Sequence, residues 1–368
     1  MSCSHRLSST RFALISTLAL TIALAAPAAA LAAQSPAVQL HLLWGSASAA
    51  EKDRQLDQAK RAGARVVRID VGWQTLEEAR KGKYSSWYLS QIDDVVNKAR
   101  ARGLKVLFTL VFTPCWASSA PDSIKQGCSA GWYERGVGRY PPSNPRDYAD
   151  ALRFLASRYR GRVTAWEIWN EPNLKAFWNT SRPVARYVAL LKAAYRAAKA
   201  ADPGAVVVGG ALSESDVTFT NALYRAGAKG NFDALSIHPY SHDYSPLRTL
   251  DPRWVKSSFI QGVPAVRNVM RRYGDARRMW LTEFGWSTSS IRGRQNPWEN
   301  GVSESTQATY LRQAFTHMHE WSYVDVGVWY NLVNRSADTA DRESNFGLLR
   351  HDRTKKPAYS AFQKAAAR

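Results

Sequence analysis

Short apolar runs rich in Val, Ile, Leu and aromatic residues alternate along this chain with longer segments whose apolar positions recur every three or four residues. The first pattern suits buried strands and the second amphipathic helices. Strands are expected near 38–43, 65–71, 105–111, 163–169, 205–211, 232–237, 278–283 and 325–331. Helices are expected near 50–62, 86–102, 145–160, 182–201, 215–227, 256–273, 304–321 and 356–367. In the segment from Arg182 to Ala201, Val184, Val188, Leu191 and Ala194 mark one helical face, and Asp202-Pro203-Gly204 stops it. Eight strands alternating with eight helices predict an α/β chain folded as a single-domain (β/α)8 TIM barrel over residues 33–368. A doubly wound open sheet would need a glycine-rich phosphate loop after an early strand, and the sequence has none. No repeat, low-complexity tract or linker marks a second domain.

Two of the predicted strands end in carboxylates. The run Val163-Thr164-Ala165-Trp166-Glu167-Ile168-Trp169 leads into Asn170-Glu171-Pro172-Asn173, where Pro172 prevents further ladder pairing. The seventh strand ends in Thr282-Glu283-Phe284-Gly285-Trp286. Residues at the C-terminal tips of barrel strands face the active site. Two carboxyls facing each other across the mouth are what acetal hydrolysis needs: one protonates the departing oxygen while the other attacks, and retention requires a gap of roughly 5–5.5 Å. The competing structural reading pairs each Glu with an Arg at the rim. The connection from Phe112 to Asn144 is unusually long, rich in Gly, Pro, Ser and aromatic residues, and expected to lie over the catalytic face.

Residues 1–32 read as a secretory signal: Arg6 and Arg11 precede an apolar run from Phe12 to Ala26, and small residues lead to cleavage after Ala30 or Ala32. The run is too short for a transmembrane anchor. Cys3 is lost with that segment, and in an oxidising compartment Cys115 and Cys128 are expected to form one disulfide. The net charge of +20 becomes +18 once Arg6 and Arg11 are removed. Such a surplus suits an acidic polysaccharide, a cell envelope or, without specificity, nucleic acid, although solvated helix faces explain most of it. No His/Cys/Asp spacing suggests a metal, no cofactor is implied, and nothing sets an oligomeric state.

The Trp-Asn-Glu-Pro-Asn and Thr-Glu-Phe-Gly-Trp runs resemble the acid/base and nucleophile motifs of the clan A glycoside hydrolases. Within that clan the whole exported chain is most similar to the group of β-xylosidases, α-L-iduronidases and bacterial exopolysaccharide endoglycosidases. The resemblance implies Glu171 as general acid/base and Glu283 as nucleophile. It also implies Arg68 as the second-strand arginine supporting the nucleophile and Asn170 as the amide that binds the sugar 2-hydroxyl. His238 and Tyr240 match its sixth-strand pair, with the tyrosine hydroxyl reaching the nucleophile, and Trp329 matches its eighth-strand aromatic, a flat face for the sugar. For His238 a satisfied core histidine is an equal alternative.

Glu167, one layer deeper than Glu171 by strand alternation, is expected to be structural and paired with Arg68. Asp70 and Asp233 are open between structure and substrate contact. Of the 14 tryptophans, Trp44, Trp73, Trp116, Trp132, Trp178 and Trp286 fall near strand ends, with Trp116 and Trp286 expected to bind sugar, whereas Trp166 and Trp280 suit the core. The function these residues imply is a secreted retaining glycoside hydrolase acting on a polysaccharide or oligosaccharide. A transglycosylase on the same site and a non-catalytic carbohydrate-binding barrel are the alternatives, and the second has no use for paired acid and nucleophile.

Overall fold

Eight parallel strands close into a barrel in strict chain order in the computed structural model. The structure describes residues 1–2, 35–45 and 47–368. Residues 3–34, which include all but the first two residues of the export signal expected over 1–32, lie outside the described residues. The strands are β1 (Ser35–Gln39), β2 (Val66–Gly72), β3 (Lys105–Val111), β4 (Ala165–Ile168), β5 (Val206–Ser213), β6 (Ala234–His238), β7 (Arg278–Phe284) and β8 (Val324–Trp329). The principal crossover helices are α1 (Ala49–Arg61), α2 (Ser86–Ala101), α3 (Pro145–Arg158), α4 (Pro183–Ala201), α5 (Val217–Arg225), α6 (Phe259–Arg272), α7 (Glu304–Glu320) and α8 (Pro357–Ala366). No helix among the described residues is long and apolar enough to cross a membrane.

The helices start where the sequence supplies caps. Ser48, Ser85, Asn144, Asp216, Ser258 and Ser303 each accept a first-turn backbone N–H, and prolines open α3, α4 and α8. The first strand begins earlier than the apolar pattern suggests. Leu40, Leu42 and Leu43 are buried, but the chain leaves the ladder after Gln39, and Gly45 turns it with a φ of +64°. Apolarity therefore reported burial there and not pairing.

Inside the barrel, alternate residues form layers. Ala37, Val66, Leu107, Ala165, Val208, Ala234, Trp280 and Val326 form an apolar floor. Two residues further along several strands the interior turns polar, with Gln39, Arg68, Thr109, Glu167, Ser236 and Thr282 all fully buried. That polar layer supports the open end. Departures from regular geometry aim the side chains above it. The β7–β8 register shifts between Leu281 and Phe284, which breaks the alternation and turns Glu283 inward after Thr282. At the end of β4, Trp169 and Glu171 have φ of +69° and +45°. Such left-handed residues are uncommon outside glycine and cluster at functional sites. Trp169 swings outward to donate its indole N–H to Phe177 O, and both Asn170 and Glu171 line the open end.

Candidate active site

A cavity of 410 Å³ opens at the C-terminal ends of the strands, and Asp70, Asn170, Glu171, Tyr240 and Glu283 line it. Arg68 lies directly beneath, with no exposure to solvent. Its guanidinium spends its donors on four neighbours: Nε on Glu167 Oε2 at 2.7 Å, Nη1 on Glu283 Oε1 at 2.6 Å and on Gln39 Oε1 at 2.9 Å, and Nη2 on Asn170 Oδ1 at 3.0 Å. Burial opposes its charge, but Glu167, Glu283 and Asp70 outweigh burial and hold it protonated. Because Asn170 Oδ1 is taken by Arg68, the amide NH2 is the group left to face a ligand.

Glu283 is gripped from the other side by the Tyr240 hydroxyl, which donates to Oε2 at 2.8 Å. Burial and then the charge of Glu283 push the Tyr240 phenol well above its ordinary range, so it remains a donor. His238 joins the two acids. Its Nδ1 is 3.1 Å from Glu171 Oε1 and 3.7 Å from Glu283 Oε2, which caps the distance between those oxygens at about 7 Å. Burial pulls the imidazole pKa down, yet the Glu283 charge and the Glu171 hydrogen bond outweigh burial and raise it.

Glu167 is fully buried and accepts from Arg68, from Thr109 Oγ1 at 2.8 Å and from Ser236 Oγ at 2.9 Å, a structural pairing. Burial alone would raise its carboxyl, but Arg68 and then His238 hold it below the usual range. Asp233 is tied to Tyr195, Lys199 and the Val207 N–H, behind the barrel. Asp70 faces the cavity and accepts from Gln39 Nε2 at 3.1 Å.

The family model described as cellulase (glycosyl hydrolase family 5) matches residues 26–326. The chain belongs to glycosyl hydrolase family 5. Among curated proteins it is similar to the probable glucan 1,3-beta-glucosidase A of Aspergillus fumigatus, at 31% identity over 120 residues, 32% of this chain. That match spans only 27% of the relative's length. Among solved structures it is similar to a family 39 glycoside hydrolase from the gut symbiont Bacteroides cellulosilyticus WH2 (TM-score 0.70, 23% identity, 90% of this chain and 63% of that one). It is also similar to a monomeric beta-xylosidase from Caulobacter crescentus CB15 (TM-score 0.62, 20% identity, 90% and 67%). These two likenesses show a shared fold. Membership of clan A therefore holds, with family 5 as the matching family model and family 39 and β-xylosidase structures among the neighbours.

Three aromatic assignments in this family 5 barrel need correction. Trp329 is fully buried and donates its indole N–H to Phe346 O, offering no face to the cavity. Val326 and Val328 point into the barrel, so alternation sends Trp329 outward and brings the next residue, Tyr330, to the cavity wall. Trp286 is likewise buried, packed at 6.0 Å from Trp329 with its N–H on Tyr244 O. Trp116, half-buried, stacks edge-on against Trp73 and donates to Glu77 O, and it does not line the carboxylate cavity. Trp73, Trp132 and Trp178 are also buried. The aromatic wall is instead Trp44, Phe112, Phe177, Trp298, Tyr330 and Phe346. Trp298, Tyr330 and Phe346 come from the connections after β7 and β8, which also supply Arg335 and Glu343. Loop length alone signalled them, since residues 285–303 and 330–356 are long connections like 112–144. His41, stacked at 4.1 Å on Trp44, had no sequence signal.

Proposed function

We propose that this chain is a secreted retaining glycoside hydrolase that cleaves a polysaccharide or oligosaccharide by double displacement. The observation that carries the reading is the pair of cavity-lining carboxylates, Glu171 and Glu283, whose oxygens lie 3.1 Å and 3.7 Å from one histidine nitrogen and so face the same space; retention is what membership of the clan implies. In this reading Glu283, fixed by Arg68 and Tyr240, attacks the anomeric carbon as Glu171 protonates the leaving oxygen. Glu171 then takes a proton from water, which opens the glycosyl-enzyme. Asn170 offers its amide N–H to the sugar 2-hydroxyl, a bond that strengthens in the transition state.

Export is part of the proposal, with residues 1–32 as signal and cleavage after Ala30 or Ala32. The Cys115–Cys128 disulfide supports it, because such bonds persist outside reducing compartments. The names of the similar proteins make β-glucans and β-xylans the first substrates to screen, beside acidic polysaccharides.

Azide tests the roles. Glu283→Ala and Glu171→Ala each lower turnover by several orders of magnitude. With azide, Glu283→Ala gives an inverted glycosyl azide, while Glu171→Ala gives a retained one through the preformed intermediate. Product stereochemistry by NMR reads the result, and the opposite pattern exchanges the two assignments.

A further inference from the structure

Five large aromatic side chains are exposed among the described residues: Trp44, Trp87, Tyr133, Trp254 and Trp298. Exposing such rings is unfavourable, and clustered exposed apolar surface marks binding sites. Four of the five line two adjoining cavities. Trp44 and Trp298 flank the carboxylate cavity, and Trp44 continues into a second one of 780 Å³, where Trp87 and Tyr133 are more than half exposed. The two spaces share Trp44, Val111 and Phe112 as a common wall. The second cavity is also the larger, so the groove extends well beyond the reacting pair.

Its walls are built and held. One side comes from the segment after β1, the end of β2 with the residues that follow it, and the first turn of α2, through Leu43, Gly72, Thr75 and Trp87. The other is the long segment after β3, which contributes Tyr133, Gly136, Gly138 and Arg139. The Cys115–Cys128 disulfide staples that segment near its base. Arg135 knits its interior by donating to Ile124 O at 2.8 Å and to Ala130 O at 2.8 Å. Gly138 accepts from Thr113 N at 2.9 Å and lies so close to Gln74 that a side chain there would collide. A wall fixed before binding loses little entropy when a ligand orders against it.

The geometry points to this second cavity as a binding subsite for the continuing chain of the glycan whose scissile bond sits between Glu171 and Glu283. The site is thus built for a polymer or long oligosaccharide and not for a single terminal sugar. This rests on the hydrolase reading above. Indole and phenol faces suit the C–H faces of pyranose rings, and Thr75, Gln74 and Arg139 add polar groups for ring oxygens and hydroxyls. Arg139 is the cavity's one charged side chain among the described residues. A chain spanning both cavities passes Trp44 at their junction.

The test measures kcat/KM against chain length. The probes are β-1,4-gluco-, β-1,3-gluco- and β-1,4-xylo-oligosaccharides, beside the aryl glycosides carrying one sugar. In the intact enzyme, kcat/KM rises with length for the series it cleaves. Trp87→Ala with Tyr133→Ala lowers it about tenfold or more on the longest member while leaving the aryl glycoside unchanged. Trp87→Phe with Tyr133→Phe, which keeps flat faces, restores most of the difference. A flat length dependence in the intact enzyme overturns the subsite, as does an alanine variant that matches it on long substrates or loses equally on the aryl glycoside. Absence of turnover on every probe, and on the acidic polysaccharides screened beside them, removes the hydrolase reading and the subsite with it.

Discussion

Asp70 shows what a residue in this cavity gives up for its position. Burial, opposed by Arg68 and reinforced by Glu283, pushes its carboxyl up to about 6 from 3.8. The unfolded chain releases this proton at lower pH than the folded protein does. Ionised Asp70 therefore lowers stability, in full above about 6, and the effect fades as pH falls towards 3.8. The gap corresponds to about 3 kcal/mol. Asp70→Asn is expected to be more stable than the parent at pH 7, by up to about 3 kcal/mol, and nearly equal to it below pH 4. Urea unfolding at the two pH values checks this, and a variant less stable at pH 7 shows that the Gln39 hydrogen bond matters more. Glu167 has the opposite sign. Held below 4.5 by Arg68 and His238 against burial, it stabilises at neutral pH, and that contribution is lost as pH falls through its folded value. The Arg68–Glu167 pair was legible because strand alternation put both inside the barrel, on β2 and β4 with only β3 between them. The role of Asp70 was not, since two residues along a strand says nothing about how much water remains.

At the scale of elements, the clearest expectation concerns the segment after β3. The disulfide joins residues 13 apart in sequence, and its Cα atoms are 5.7 Å apart. Chain entropy gives such a closure up to roughly 3 kcal/mol. Cys115→Ser with Cys128→Ser is expected to lower the melting temperature and raise KM for long substrates, while the carboxylate cavity keeps its activity on an aryl glycoside. Equal loss on both substrates shows that the loop also shapes the reacting end. The sequence expected this loop over the catalytic face, and its place beside the groove agrees, but through Tyr133 and Arg139 instead of Trp116. The eight strands and eight principal helices were legible because each carries a period that burial imposes. What escaped were the exceptions to period: the register shift in β7 and the left-handed residues at Trp169 and Glu171. Each depends on a neighbouring strand, so no local pattern records it.

The whole molecule separates its charges. The chain carries +20, yet the carboxylate cavity is lined by Asp70, Glu171, Glu283 and Glu343 against a single guanidinium, Arg335, with Arg68 already committed beneath. Much of the basic surplus sits on the outside, where pairs such as Lys81–Asp147 and Arg102–Asp57 use only part of it. An anionic polymer is therefore attracted to the outer surface while the reacting cavity repels it at close range. Adsorption to anionic envelope material or to an acidic polysaccharide is expected to fall steeply between low and physiological salt, since charges separated by more than about 8–10 Å are screened there. Turnover of a neutral oligosaccharide should change little over the same range, because its binding rests on aromatic faces and short hydrogen bonds. Co-sedimentation and initial rates, measured across one salt series, separate the two. If turnover of neutral substrate falls in parallel with adsorption, the outer charge acts on catalysis itself, and the division between a cationic surface and an acidic cavity is wrong.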